Sequence, residues 1–155
     1  MKAVCDASFY TQVPSVSGII VMLGSKKSDA VCPLFWKSKS VVKVCKSSKD
    51  AETRALEKCV DTSVYLAARI ERILFGDFQN RIKSEVWTDS EPLIESIGGT
   101  KRVENLTLIP TVEALKENLK EQSVTKFSYV NTKKNPADIG EVDGQIKPFL
   151  RDSLM

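Results

Sequence analysis

The apolar pattern of the chain changes period once, near Ser47, and this change constrains the fold more than any other feature. Before Ser47, short β-branched segments are separated by turn signals. After it, apolar residues recur at every third or fourth position, as on one face of a helix. Closely spaced strands followed by a long helix indicate an antiparallel meander joined to a helical crossover, and therefore an α/β fold.

Three strands are predicted before the change of period. Residues 1–8 form the first, Val16–Gly24 the second, and Val31–Ser38 the third. The second is continuously apolar, which is typical of a strand that is buried on both faces. Val41–Cys45 could extend the third strand after a bend.

A long helix is predicted over Ser48–Phe75. Ser47 or Ser48 supplies a hydroxyl N-cap, and Asp50 and Glu52 follow in the first turn, where acidic groups favour the helix dipole. One apolar stripe runs along the helix and comprises Leu56, Cys59, Val60, Ser63, Ala67, Ile70 and Leu74. Gly76 is a plausible stop.

The rest of the chain predicts two more strands and two more helices. In order, these are a strand at Ser84–Thr88, a helix at Glu91–Ile97, a helix near Pro110 to Leu119, a strand at Val124–Val130, and a turn-rich segment Asn131–Gly144 with a short helix around Ala137. The crossover rule gives a mixed five-stranded sheet, its first three strands antiparallel, flanked by helices. We expect one domain over residues 1–155, with the first and fourth strands adjacent.

Composition excludes several kinds of chemistry. The chain has no histidine, so Ser-His-Asp and Cys-His nucleophiles and histidine-bound zinc cannot be built. The four cysteines (Cys5, Cys32, Cys45, Cys59) are scattered, and we expect plain buried or half-buried thiols. Trp36 and Trp87 are expected in the core, and no apolar run is long enough to span a membrane.

Carboxylates at the ends of strands are the best candidates for chemistry. Asp6 lies at the centre or end of the first strand, and Asp89 lies where the fourth runs out, so neighbouring strands would place the two side by side. Two close carboxylates repel each other, which argues for a bound divalent cation. Ions such as Mg²⁺ prefer carboxylate and water oxygens and need no histidine.

Each candidate also has a purely structural interpretation. Glu52 could serve only the helix dipole, and Asp89 could cap the helix that follows it. Asp138 taken alone is a loop carboxylate. Taken together, the positions of these carboxylates along the strand–helix–strand order favour a shared metal site over four separate structural roles.

Short motifs along nearly the whole chain resemble those of the ribonuclease H domain of copia-type (LTR) retrotransposon polyproteins, which are part of the reverse transcriptase. The matching segments are Asp6-Ala7-Ser8, Ser15-Val16-Ser17-Gly18, Trp36-Lys37-Ser38-Lys39, SSKDAETRAL from Ser47 to Leu56, Thr88-Asp89-Ser90 and VNTKKNPADI from Val130 to Ile139. They occur in the family's order and at compatible spacing. The resemblance implies a ribonuclease H-like fold and cleavage of the RNA strand of RNA–DNA hybrids.

The resemblance also implies a metal-binding and catalytic set of four carboxylates. Asp6 would bridge two Mg²⁺ ions, for which Mn²⁺ can substitute, and Glu52 and Asp89 would complete the ion nearer the leaving group. Asp138 would help to hold the ion that carries the attacking water. The family continues differently after its Ala-Asp-Ile motif, so Asp143 is an alternative fourth carboxylate.

Lysines cluster between the third strand and the long helix. Candidate nucleic-acid contacts are Ser8, Lys37, Lys39, Lys43, Lys46 and Ser90. Lysines that neutralise phosphates give affinity independent of base sequence. An alternative is that lysines protect an edge strand from pairing with another chain.

Two classes of function therefore compete. The first is an active endoribonuclease that works during reverse transcription beside an adjacent reverse transcriptase domain. The second is a catalytically inactive ribonuclease H-like tether or scaffold, and another nuclease or an integrase of the same superfamily is a third hypothesis. We expect a cytoplasmic location, in virus-like particles for a retroelement, and no membrane partner.

Overall fold

The computed structural model describes residues 1–10, 14–25, 28–41 and 44–137. Its strands are β1 (Lys2–Ser8), β2 (Val16–Ser25), β3 (Ser28–Ser40), β4 (Ser84–Thr88) and β5 (Val124–Tyr129). Its helices are α1 (Ser48–Phe75), α2 (Glu91–Ile97) and α3 (Ile109–Lys120), with short 3-10 turns at Leu106–Leu108 and Thr132–Lys134. None of the described helices is long and apolar enough to cross a membrane.

The strands form one five-stranded sheet in the order β3-β2-β1-β4-β5. The pairs β1–β2 and β2–β3 are antiparallel, whereas β1–β4 and β4–β5 are parallel. The predicted mixed sheet, with its first three strands antiparallel and the first and fourth adjacent, is confirmed. The parallel pairs arise because α1, and then α2 with α3, carry the chain back to the same end of the sheet.

Helix α1 begins and ends where its sequence predicts. The Ser47 hydroxyl accepts a hydrogen bond from the Asp50 amide at 3.2 Å, and Gly76 ends the helix in the left-handed conformation. The apolar face of α1, including Ala55, Leu56 and Cys59, packs on β1 and β2 in the main core. This packing fixes the first turn of α1 beside the end of β1.

The third strand is longer than its sequence predicts, and its surroundings differ. Strand β3 extends to Ser40, and the described residues of Val41–Cys45 are not in a strand. Trp36 is 67% exposed and Cys32 is also exposed, so the expected burial of these two side chains is wrong. The cause is the position of β3 at the edge of the sheet, where within the described residues it pairs only with β2.

The connection from α1 to β4 is organised by one buried carboxylate. Glu71 is fully buried and accepts hydrogen bonds from the amides of Gln79 at 2.8 Å and Arg81 at 2.9 and 3.0 Å. Burial alone would raise the pKa of Glu71, but these hydrogen bonds outweigh it and hold the pKa below its ordinary value. Glu71 therefore stabilises the turn that directs the chain into β4.

Candidate active site

Two of the predicted carboxylates lie at the ends of adjacent parallel strands. The register of β1 with β4 pairs Cys5 with Thr88, so Asp6 and Asp89 each follow by one residue. Neighbouring strands are about 4.8 Å apart, which brings these two half-buried side chains to one edge of the sheet. The strand register thus places the pair where the sequence predicts it.

The first turn of α1 brings Glu52 to the same edge. Its carboxylate accepts a hydrogen bond from the Ser90 hydroxyl at 2.5 Å, and Ser90 directly follows Asp89. Ser90 occupies the N-cap position of α2 and makes no side-chain cap bond there; its hydroxyl donates to Glu52. Glu52 is half-buried and contacts the start of α2, so the interpretation of Glu52 as a dipole partner alone does not account for its position.

The segment after β5 returns to β1 beside Asp6. Asn135 is buried, and its side-chain amide donates to the backbone carbonyl of Cys5 at 3.0 Å. The same side chain accepts a hydrogen bond from the Ala137 amide at 3.0 Å. A 3-10 turn lies at Thr132–Lys134, and residues 136–137 form a turn, whereas the rest of the short helix predicted around Ala137 lies outside the described residues.

A glycine allows this close return. Gly18 is the cross-strand partner of Asp6, and a Cβ on Gly18 would lie 2.2 Å from the carbonyl oxygen of Ala137. Any side chain at this position would therefore push the Ala137 backbone away. Asn135 and Gly18 together hold Ala137 against the sheet beside Asp6.

A small cavity opens at this point. Its volume is about 150 Å³, and its lining includes Asp6, Ser8, Gly18, Ser38 and Ala137. The predicted fourth carboxylate, Asp138, comes next in the chain but lies outside the described residues, as does its alternative, Asp143. The described structure thus ends one residue before the position where the sequence predicts the fourth ligand.

The donor set is suited to hard divalent cations, although its geometry is incomplete. Asp6, Glu52 and Asp89 offer carboxylate oxygens, which Mg²⁺ and Mn²⁺ prefer. Within the described ranges, no three acidic or thiol side chains are grouped closely enough to hold a metal ion. The carboxylates of Asp6, Glu52 and Asp89 are therefore the right kind of ligand for Mg²⁺ or Mn²⁺. Their role in metal binding stays a prediction.

The candidate nucleic-acid contacts lie on more than one surface. Ser8 lies beside Asp6, Ser90 is bonded to Glu52, and Lys46 is exposed just before α1. Lys37 and Lys39 are exposed on the face of β3 that is turned towards α1, whereas Ser38 between them shares the face of Asp6. Lys43 lies outside the described residues.

Two residues that position the site had no assigned role in the sequence. Gly18 stands in the Ser-x-x-Gly motif, but nothing in the sequence shows what would approach its missing side chain. Asn135 precedes proline in a turn-rich segment, where asparagine is common for local reasons. The motif around each residue could have pointed to its importance. The contacts of Gly18 with Ala137 and of Asn135 with Cys5 are visible only in the folded chain.

A buried thiol lies directly behind the carboxylates. Contact with the Cys59 thiol and burial raise the pKa of Cys5 well above its ordinary value. The Cys5 thiol also points to the backbone carbonyl of Trp87, at 3.7 Å. Cys5 is thus a protonated core residue at neutral pH and offers no nucleophile to the site.

Comparison with known proteins gives matches at the level of structure. No protein-family model and no curated protein matches the sequence. Two similar solved structures are ribonuclease H1 from Halobacterium salinarum (15% identity, TM-score 0.56, covering 88% of this chain and 89% of that chain) and the N-terminal ribonuclease H domain of a Mycobacterium tuberculosis protein (20%, 0.59, 88% and 88%).

A third similar structure is LC11 ribonuclease H1, isolated from compost by a metagenomic approach. It has 21% identity and a TM-score of 0.61, and the match covers 88% of this chain and 89% of that one. A second structure of LC11 ribonuclease H1 is in complex with an RNA/DNA hybrid (20%, 0.57, 86% and 87%). The strand order, the parallel β1–β4 pair and these matches agree: the chain has the ribonuclease H fold.

Proposed function

We propose that this chain is a metal-dependent endoribonuclease that cleaves the RNA strand of RNA–DNA hybrids. The observation that carries the proposal is the position of Asp6 and Asp89, each one residue beyond the last paired residue of the adjacent parallel strands β1 and β4. Glu52 of α1 is linked to the residue after Asp89 by its hydrogen bond with Ser90. In an α/β sheet, ligands collect at the carboxyl ends of parallel strands, and this edge is such an end.

Each residue has a defined task in this proposal. Asp6, Glu52 and Asp89, with Asp138, would hold two divalent ions. When bound, such ions lower the pKa of a water molecule and stabilise negative charge on a phosphodiester. Ser90 orients Glu52 through its hydrogen bond, and Asn135 and Gly18 hold the preceding residue of Asp138 against the sheet.

The substrate is proposed from the surface beside the site and from a structural neighbour. Ser8 lies beside Asp6, and Lys46 precedes the helix that carries Glu52, so both can contact ribose hydroxyls and phosphates of a bound strand. LC11 ribonuclease H1, which shares the fold, is known in complex with an RNA/DNA hybrid. These observations support a hybrid duplex lying across the carboxyl ends of β1 and β4.

The biological setting follows from the motif resemblance. We infer that the domain belongs to the polyprotein of a copia-type retrotransposon and acts beside a reverse transcriptase domain. It would then remove RNA from the hybrid made during reverse transcription, in the cytoplasm and within virus-like particles.

One observation favours a second candidate function. The described part of the chain has no group of three metal-ligating side chains, which is what an inactive ribonuclease H-like tether would also show. Such a module would bind hybrid or a neighbouring polymerase without cutting.

Paired cleavage and binding titrations separate the two functions. Asp6→Asn and Asp89→Asn each keep the side-chain shape but remove charge from the metal site, so cleavage of labelled hybrid in Mg²⁺ or Mn²⁺ should fall by about a hundredfold or more. Hybrid binding should persist or tighten, because less negative charge faces the phosphates. Duplex DNA is the substrate control.

Asp77→Asn is the matched variant, because Asp77 is an exposed aspartate at the opposite end of α1 and its loss should leave cleavage unchanged. Wild-type protein that binds hybrid but never cuts it with either ion, alone or joined to its polymerase domain, would establish the tether instead.

A further inference from the structure

A groove runs between the sheet and α1, separate from the carboxyl ends of β1 and β4 where Asp6 and Asp89 lie. Its volume is about 540 Å³, within the range of small-molecule sites. Residues of β2 and β3 form one wall, and α1 forms the other from Arg54 to Thr62, a length of about 12 Å. The groove lies on the face of the sheet opposite the cavity that contains Asp6.

The end of the groove nearer the carboxyl ends of β1 and β4 is cationic. Lys37 and Lys39 share one face of β3 and are about 6.7 Å apart along the strand. Within the described residues, neither lysine has an ion-pair partner. Arg54 uses its Nε to hold Asp50 at 2.8 Å, which leaves its terminal NH₂ groups to bind an anion. This end therefore suits a phosphate.

The opposite end differs in chemistry. The half-buried Phe35, two residues along β3 from Lys37, gives it an apolar floor with an aromatic ring, whereas Ile19 lies level with Lys37. Glu57 and Asp61 on α1 line the same groove, and Glu57 has no ion pair within the described part of the chain. Carboxylates can accept hydrogen bonds from the exocyclic amino group of a nucleobase. Lys58 also lines this part of the groove and pairs with Asp61 at 3.5 Å, which leaves Glu57 as the carboxylate that can accept a hydrogen bond from a base.

We propose that this groove binds one unpaired nucleotide. Its phosphate lies between Lys37, Lys39 and Arg54, and its base lies on Phe35 with its amino group towards Glu57. The nucleotide can be free or can be the unpaired end of a nucleic-acid strand, because both sources present the same phosphate and base. The site does not depend on cleavage, since none of these residues belongs to the carboxylate set.

The test is a titration of isotope-labelled protein with AMP, followed by amide chemical shifts. AMP should shift the amides of the groove and bind more tightly than either adenosine or inorganic phosphate. The double variant Lys37→Gln/Lys39→Gln should weaken AMP binding roughly tenfold. Lys120→Gln/Lys126→Gln removes the same charge near β5, at the opposite edge of the sheet, and should leave AMP affinity within about twofold of wild type.

The source is distinguished by comparing a blunt hybrid with the same hybrid carrying a one-nucleotide overhang. If the hybrid with the overhang displaces AMP and the blunt hybrid does not, the ligand is the unpaired end of a strand. If AMP binds and neither hybrid displaces it, the ligand is a free nucleotide. Inorganic phosphate that binds as tightly as AMP, equal losses in both double variants, or the absence of groove shifts would each overturn the proposal. Asp6→Asn should still bind AMP, so failure of the proposed nuclease activity does not remove this site.

Discussion

The absent side chain of Gly18 decides how closely the turn at Asn135–Ala137 approaches β1 beside Asp6. The Ala137 carbonyl occupies the space that a Cβ would take, and Asn135 ties the same turn to the backbone of β1. A residue outside the predicted metal set thus controls how closely Ala137 approaches β1.

Gly18→Ala tests this control. The new methyl group would meet the backbone of Ala137 at 2.2 Å, so the turn must shift, and stability should fall by about 1–3 kcal/mol. Cleavage should fall further than stability explains if Asp138, the residue after Ala137, is the fourth metal ligand. Urea unfolding and hybrid cleavage measure the two effects. Gly24→Ala on the same strand is the control, since its Cβ would meet nothing within 4 Å; equal effects of both substitutions would contradict the argument.

The cysteines give a second test at this scale. Cys32 is exposed, whereas Cys5 and Cys59 are buried and the pKa of Cys5 is raised. Iodoacetamide at pH 8 should modify Cys5 more than about tenfold slower than Cys32, because less thiolate forms and the reagent lacks access. Mass spectrometry of each cysteine measures the rates, and urea-unfolded protein should remove the difference. Equal rates in the folded protein would show that the core opens readily.

At the scale of elements, α1 performs a task at each end. Its first turn presents Glu52 to Ser90, and its last turns bury Glu71 under the connection to β4. The helix therefore links the position of a candidate ligand to the entry of the strand that ends in Asp89.

Glu71→Gln should lower the melting temperature by several degrees at pH 7, since one carboxylate oxygen that accepts amides is lost. Because the folded-state pKa of Glu71 is lowered, its charge stabilises the fold above the unfolded-state pKa of about 4.3. That contribution is lost as the pH falls towards the folded-state pKa, so the two melting curves should converge in acid. Glu117→Gln, at an exposed position on α3, should change little at any pH. A difference in melting temperature between wild type and Glu71→Gln that stays constant with pH would contradict the role of the charge.

For the whole molecule, the distribution of charge matters more than its sum. The net charge is only +3, but Lys46 is exposed just before α1, and Lys39 lies near the end of β3 on the face opposite Asp6. A basic surface beside an acidic cleft attracts a polyanion and leaves the cleft free for cations.

Lys39→Ala/Lys46→Ala should weaken hybrid binding and flatten its dependence on salt. If each lysine neutralises one phosphate, the slope of log affinity against log salt should fall by about 2. The chemical step should persist at saturating hybrid. Fluorescence anisotropy over a range of salt concentrations measures the slope, with Lys120→Ala/Lys126→Ala as the control. An unchanged slope would favour the alternative that lysines only protect the edge strand.

The order of the elements and most of their boundaries were predictable from the sequence. Strand and helix periods are local properties, and the hydroxyl of Ser47 and the glycine at 76 mark the ends of α1 directly. The adjacency of β1 and β4 was predictable because a crossover helix restricts where the next strand can lie. Asp6 could therefore be placed beside Asp89 from the sequence, whereas Glu52 entered the predicted set through the motif resemblance.

Contacts between distant segments were decided by the tertiary structure. Trp36 and Cys32 are exposed because β3 is an edge strand. The apolar pattern of a strand does not show whether that strand lies at the centre or at the edge of a sheet. Register placed Lys37 and Lys39 on the face opposite Asp6. The approach of Ala137 to Gly18 joins residues far apart in the chain, and no local pattern encodes such a distance.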